Sequence, residues 1–153
     1  MPSSSAPRTC RFATVWGCAL AAFLLAGCGG RPARYPVSGR VLIDGKPITT
    51  GFVRVLPKGD RMSYGNIEED GRFTLGCYEQ ADGCVPGTHA ATVTSTTRLT
   101  ETTRRWNVPR RYADPVTTPL TVTIDGPTSD LKLELSWDGE QHEVEFTGVE
   151  TDE

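Results

Sequence analysis

From Tyr35 onward, apolar and polar residues alternate in short runs that glycine or proline interrupts. No stretch of about ten residues after Arg34 has the apolar spacing of an amphipathic helix. Period-two alternation is typical of strands with one buried face, and turns such as Asp44-Gly45-Lys46-Pro47 are typical of the connections between them. The pattern therefore predicts an all-β domain, a β-sandwich of about seven strands.

The side chains on the apolar face of each run mark the predicted core. They are Val37, Val41, Ile43, Val53, Val55, Ile67, Phe73, Leu75, His89, Ala91, Val93, Leu120, Val122, Ile124, Leu131, Leu133 and Leu135.

The length of the loop Glu69-Asp70-Gly71 determines how the two strands that flank it are paired. A two-residue turn would place Phe73 opposite Glu68, whereas a three-residue loop with Gly71 left-handed places it opposite Ile67. Only the second register keeps one face apolar, so we predict that one.

The C-terminal segment holds seven acids and no lysine or arginine after Ser136, which indicates a solvated, frayed end. An Asp138-Gly139 turn could instead fold it into a hairpin. That hairpin would pair Leu131 with Phe146 and Leu133 with Val144, but it would also set two glutamates opposite each other. The pattern leaves both outcomes open.

The first 27 residues have the composition of an export signal. Arg8 and Arg11 precede an uncharged stretch of 16 residues, Phe12 to Gly27. This is shorter than the ~20 residues that a transmembrane helix needs. We therefore predict a signal helix with a basic n-region and an apolar h-region.

The signal ends in Leu25-Ala26-Gly27-Cys28, which resembles the bacterial lipobox. The resemblance implies that the Cys28 thiol takes the lipid, palmitate included, and that the cysteine becomes the mature N-terminus. Two or more acyl chains, each contributing ~0.8 kcal/mol per buried methylene, hold a protein stably on a membrane. Because Gly29 is not aspartate, the outer membrane is the expected location. An uncleaved anchor or an ordinary signal peptide remains the alternative.

The remaining chain divides into a tether (28–34), a sandwich (35–136) and an acidic strand or tail (137–153). Its length suits one ordinary domain and excludes a multidomain enzyme. After Gly27 it holds 14 basic and 19 acidic residues, a net charge of −5. We therefore predict that it has no nucleic-acid partner.

Signal removal and lipidation leave two cysteines, Cys77 and Cys84. In an oxidising envelope they predict one disulfide closing a short loop, with a stabilisation of ~2 to 3 kcal/mol in the chain-entropy model. Free thiols are the alternative. A redox or zinc site is disfavoured, because the spacing is not Cys-x-x-Cys and only His89 lies near as a further ligand.

Three segments in order, Val37–Pro47, Gly51–Pro57 and Asp70–Leu75, resemble the carboxypeptidase regulatory-like, transthyretin-like β-sandwich. Three further segments, Gly87–Val93, Pro109–Pro115 and Thr118–Leu120, resemble, more narrowly, the small planctomycete lipoproteins that carry this domain. The resemblance implies a non-catalytic accessory or adhesion module with no cofactor. It carries over no catalytic residue.

Two departures from that family are the cysteine pair and His89, which stands where the family has an aromatic residue. His89 is interpreted as core filler and His142 as exposed. The hydroxyisourate hydrolase shares the transthyretin fold, but its activity looks to need several histidines, an arginine and a C-terminal Tyr-Arg-Gly-Ser. This chain ends in Glu150-Thr-Asp-Glu153. Calcium at Glu68–Gly71 is disfavoured because too few ligands are present.

The segment Thr96–Thr117 has no strand pattern and is longer than ordinary loops. Its candidate ligand surface comprises Arg98, Arg104, Arg105, Trp106, Arg110, Arg111 and Tyr112. Such arginines suit carboxylate or sulfate groups, and such aromatics suit sugars or partner side chains. Alternatively the aromatics cap the sandwich while the arginines pair with nearby acids.

These observations together predict a lipid-anchored, non-catalytic envelope protein that binds another envelope protein or a polysaccharide. Two alternatives stay open. One is a transthyretin-fold hydrolase, and the other is an accessory subunit that joins an envelope complex through an exposed strand edge.

Overall fold

The computed structural model describes residues 32–140 and 142–146. The predicted signal helix and Cys28 lie outside the described residues. The strands are β1 (Val37–Ile43), β2 (Lys46–Pro47), β3 (Phe52–Leu56), β4 (Ser63–Asn66), β5 (Arg72–Thr74), β6 (Gly87–Thr94), β7 (Thr96–Arg98), β8 (Thr103–Trp106), β9 (Thr121–Ile124), β10 (Thr128–Leu135) and β11 (Val144–Phe146), with one 3₁₀ helix, Arg110–Tyr112.

The strands form two four-stranded sheets and one small sheet. In the first sheet β10 lies beside β1 in parallel, while β2 and β5 both pair antiparallel with β1. The second sheet has the antiparallel order β4-β3-β6-β9. The small sheet has the order β11-β8-β7. The prediction of an all-β domain is confirmed.

Both four-stranded sheets bury their apolar faces in one hydrophobic core, as in a sandwich. The largest fully buried side chain is Phe73 of the first sheet, and Val53 and Val93 of the second sheet pack into the same cluster. Burying such a side chain contributes about 1.5 to 3 kcal/mol. Five core members lie outside the strands and carry no periodic signal: Ile48, Cys84, Val85, Val108 and Tyr112.

The predicted three-residue loop is confirmed. Gly71 has a φ of 83°, and its N–H donates to the Glu68 carbonyl at 2.9 Å. The Glu68 N–H donates to the Arg72 carbonyl at 2.8 Å, and Tyr64 pairs with Gly76 in the same register. Beyond this loop β4 and β5 diverge into different sheets.

The predicted C-terminal hairpin is wrong. The Asp138-Gly139 turn does form, with a φ of 50° and 82°. However, β10 pairs with β1, and β11 pairs with β8, so that Val144 lies opposite Arg105. The hairpin would have opposed two glutamates, whereas β8 offers the acidic strand a basic neighbour.

The prediction that Thr96–Thr117 lacks strands is also wrong, because the segment contains β7, β8 and the 3₁₀ helix. The hairpin gives no alternating signal because most of its side chains are threonine or arginine and lie at least partly in solvent. Strand assignment from period two works only where one face is buried.

The described body has two ends, separated by the length of β1. At the proximal end, Tyr35 exchanges backbone hydrogen bonds with Cys84 at 2.8 and 3.0 Å. At the distal end, Asp44 donates to the Leu135 carbonyl at 3.0 Å, and the small sheet follows β10 and β6 there. Among the described residues no helix is long and apolar enough to cross a membrane.

Candidate functional site

Arg110 at the distal end lies between two carboxylates of the acidic C-terminal segment. Its guanidinium is 2.6 Å from Glu145 and 3.4 Å from Glu143, and it lies 5.0 Å from the centre of the Trp106 ring. The Trp106 indole N–H donates to Glu145 at 3.1 Å. The arginine and the tryptophan are therefore both engaged by the protein's own acids.

Arg111 is held in the same way on the neighbouring turn. It donates to the Ser136 carbonyl at 2.6 Å and to Asp138 at 2.7 Å, and it also bonds Glu140. Its hydrogen bond with Tyr112 raises the pKa of the guanidinium, and the nearby carboxylates add to this against the opposing effect of desolvation. Tyr112 itself is buried in the core.

This geometry favours the interpretation in which the aromatics cap the sandwich and the arginines pair with acids. Arg98 also pairs, with Glu101 at 2.9 Å. Arg104 and Arg105 are exposed, and no salt bridge involves them among the described residues. The prediction of a frayed end is wrong as far as Phe146, because ion pairs and β11 hold that segment.

The predicted disulfide is also wrong. Cys77 and Cys84 are free thiols, and both are buried. The Cys77 sulfur faces the Arg61 carbonyl at 3.8 Å, whereas Cys84 is fixed by its backbone pairing with Tyr35. Burial raises the pKa of the Cys84 thiol, so the thiolate that metal binding or nucleophilic attack requires is disfavoured.

A carboxylate closes the loop that the disulfide was predicted to close. Asp82 accepts hydrogen bonds from the backbone N–H groups of Cys77 at 2.5 Å, Tyr78 at 3.1 Å and Glu79 at 3.3 Å. Burial raises the pKa of this carboxyl, but the three N–H donors and the charge of Arg34 outweigh burial and lower it overall. Sequence analysis missed this residue.

Arg34, assigned to the tether by sequence, belongs to the proximal end. Its side chain is only 6% exposed and pairs with Asp60 at 3.0 Å. It lies 4.9 Å from the centre of the Tyr78 ring, and Arg61 lies 5.4 Å from the same ring. The chain is therefore already fixed to the body two residues after the described part begins.

The two histidines lie apart in separate environments. His89 is half-buried on β6 opposite Val122, with its Nε2 3.0 Å from the Val85 carbonyl. His142 is exposed, and its ring lies 4.2 Å from the Trp137 ring. No group of three or more His, Cys, Asp or Glu is arranged to hold a metal within the described ranges.

Three neighbouring concavities share Thr74 of β5. The first, about 420 Å³, extends to Arg40 and Lys132 on the outer face of the first sheet. The second, about 590 Å³, lies between β4 and the loop Gly76–Ala81 and includes Tyr64 and Tyr78. The third, about 280 Å³, continues along Pro127–Ser129. We call their combined surface the Thr74 groove. Sequence analysis missed it because its residues come from four separate segments of the chain.

Comparisons with protein-family models, with curated proteins and with solved structures found no match for this chain. The sites available for a functional argument are therefore those that the geometry itself supplies. They are the self-paired arginines of the distal end, the closed loop of the proximal end and the Thr74 groove, which extends from that loop to the middle of β1.

Proposed function

We propose that this chain is a non-catalytic interaction module of the transthyretin-like, carboxypeptidase regulatory-like type, held on a membrane by lipid on Cys28. The observation that carries the proposal is the separation of the two ends. Arg34 and Tyr35, which come after Cys28 in the chain, are fixed at the proximal end, while the small sheet lies at the distal end. A module built in this way presents one surface outward from its anchor.

The length of the tether supports this orientation. Cys28 and Arg34 are six residues apart, so even a fully extended tether spans only about 20 Å. β1 has seven residues and adds about 20 Å between the two ends. An acylated Cys28 would therefore keep the proximal end within about 20 Å of the lipid surface and would allow the distal end to lie about 40 Å from it.

The described ionisable groups support a non-catalytic role. The His89 ring nitrogen faces a backbone carbonyl, and the Cys84 thiol is buried with a raised pKa. Arg110 and Arg111 are engaged by carboxylates of the same chain. A hydrolase would need such groups to converge on a substrate, whereas each of these groups is buried or bonded to another part of the same chain.

The exposed apolar side chains favour a second candidate, docking of the distal sheet in a larger envelope complex. Phe146 is 79% exposed and Val144 is 50% exposed, and they lie on the same face of β11. Leu99, also exposed, follows the β7 edge. Strand-edge pairing at β7 or β11 would cover this surface.

Metabolic labelling of the full chain with radioactive palmitate tests the anchor. The wild-type protein should incorporate label and sediment with membranes, whereas Cys28→Ala should incorporate none. Cys18→Ala is the matched control, because it removes a cysteine that the signal should discard. Equal labelling of wild type and Cys28→Ala would contradict the proposal.

A further inference from the structure

We propose that the Thr74 groove binds an acidic polysaccharide, with cations at one end taking its carboxylate groups and the exposed ring of Tyr64 at the other end stacking on its sugar rings. This inference rests on the proposed role as an interaction module, since it names the ligand of that module. It does not depend on the lipid anchor. It also moves the ligand surface away from the distal arginines, most of which are already paired.

Three cations lie in one row across three strands at the first end of the groove. In the strand register, Arg40 of β1 lies opposite Lys132 of β10 on one side and opposite Arg72 of β5 on the other. Like charges directly opposite each other in a sheet are destabilising. Repulsion within the row therefore destabilises the folded protein, and a bound anion would relieve that repulsion.

One carboxylate, Asp70, reaches two of the three cations in this row. Asp70 is 3.0 Å from Arg72 and 3.6 Å from Arg40. Both distances join solvent-exposed groups, so these ion pairs are weak. Lys132 has no carboxylate within salt-bridge distance in the described part of the chain. Lys132 is thus the cation most available to a ligand carboxylate.

The rest of the lining indicates a sugar rather than a simple inorganic anion. Hydroxyl groups of Ser38, Thr74 and Ser129 line the cationic end together with the carboxylates of Glu68 and Asp130. Serine and threonine donate and accept, and the carboxylates accept hydrogen bonds from ligand hydroxyls. Because carboxylates and hydroxyl groups are mixed with the cations, the surface offers hydrogen bonds to the hydroxyl groups of sugar rings as well as positive charge to a ligand carboxylate.

Two exposed tyrosines lie at the second end of the groove. Tyr64 is 54% exposed and Tyr78 is 40% exposed, and both line the cleft of about 590 Å³. The backbone of Tyr64 is fixed by paired hydrogen bonds to Gly76 at 2.8 and 2.9 Å. Rigid aromatic side chains with a polar tip give contact area at low entropic cost. Asn66 and Gln80 add amide groups beside them.

Glycines permit two close backbone approaches beside the groove, one between β4 and β5 and one within the loop that follows β5. A Cβ at Gly65 would lie 2.3 Å from the Thr74 carbonyl oxygen, and a Cβ at Gly76 would lie 2.6 Å from the Glu79 carbonyl oxygen. Both contacts are shorter than any side chain tolerates, so only glycine permits this close approach.

Affinity electrophoresis of the full-length protein in detergent tests the proposal, with polygalacturonate in the gel as the acidic probe and dextran as the neutral one. Wild type should be retarded by polygalacturonate and not by dextran. Loss of one charged contact or one stacking contact is worth about tenfold in affinity, so Lys132→Gln and Tyr64→Ala should each raise the dissociation constant about tenfold. The matched control is the double variant Arg104→Gln/Arg105→Gln, which should bind as wild type does.

Thermal unfolding separates binding from a structural role. Without polysaccharide, Lys132→Gln should have an unchanged or higher melting temperature, because it relieves repulsion in the row. A structural role for Lys132 predicts a lower one and would overturn the assignment. The proposal also fails if polygalacturonate does not retard wild type, if dextran retards it equally, or if the distal double variant loses binding as Lys132→Gln does. Palmitate labelling of the same preparations reports separately on the anchor.

Discussion

The proximal and distal ends of this molecule are both held by carboxylates, but in opposite ways. At the proximal end a single partly buried carboxylate, Asp82, accepts three backbone hydrogen bonds. At the distal end several exposed carboxylates pair with Arg110 and Arg111. Exposed pairs contribute little individually, while unsatisfied backbone donors are costly. We therefore expect the proximal end to be the more stable of the two.

The largest expected effect is that of Asp82→Ala. The substitution removes three charge-assisted hydrogen bonds, one of them part-buried, and should lower the free energy of unfolding by about 2 to 3 kcal/mol. Urea denaturation monitored by tryptophan fluorescence measures this. Asp125→Ala, which removes an exposed carboxylate near the same end, is the control and should change stability little. Equal losses in the two variants would mean that the loop is not closed by Asp82.

Acid should weaken the proximal end through the same carboxylate. Because the folded-state pKa of Asp82 is below its unfolded value, its contribution is complete above the unfolded pKa and is lost as pH falls through the folded pKa. The stability difference between wild type and Asp82→Ala should stay constant from about pH 5 to 8 and shrink below about pH 4. A difference that stays the same down to about pH 2 would contradict the assignment.

Arg111→Gln should have an intermediate effect at the distal end. The substitution removes charge-assisted bonds to Ser136, Asp138 and Glu140 from a partly buried side chain, which should cost about 1 to 2 kcal/mol. Urea denaturation again provides the measurement. Arg104→Gln is the control, since it removes an exposed arginine of the same end, and it should unfold like wild type. A loss in Arg104→Gln as large as that in Arg111→Gln would refute the distinction.

The smallest effect should be that of Arg110→Gln. Its pairs with Glu143 and Glu145 are solvent-exposed, so their loss should cost about 0.5 kcal/mol. About 1 M salt should abolish the difference by screening. Hydrogen exchange of β11 should accelerate in Arg110→Gln at low salt and match wild type at high salt. An acceleration that persists in high salt would show that packing, rather than charge, holds β11.

The parts that sequence predicted correctly are those with one buried face. Alternation around Val53 and Val93 identified the central strands, and the left-handed Gly71 identified the register of a loop. The distal hairpin escaped prediction because both of its faces meet solvent. The pairing of β11 was not predicted because its partner, β8, had not been recognised as a strand.

The candidate site was predictable only in part. The clustering of arginines in Thr96–Thr117 was visible, but their neutralisation required the C-terminal acids to fold back onto them. The cysteine spacing suggested a disulfide. The carboxylate that closes the loop instead could not be predicted, because a side chain that accepts backbone hydrogen bonds leaves no pattern in the sequence. The row formed by Lys132, Arg40 and Arg72 depends on the parallel pairing of β1 and β10, which alternation alone does not specify.

The measurement that tests the central claim most directly is fluorescence quenching on lipid vesicles. The full-length acylated protein carries a fluorophore at Lys58→Cys of the proximal end or at Glu101→Cys in the turn between β7 and β8, and the vesicles carry a quencher on their headgroups. We predict strong quenching at position 58 and weak quenching at position 101. Equal quenching at the two positions, or stronger quenching at position 101, would contradict a module that is anchored at its proximal end and presents its distal end outward.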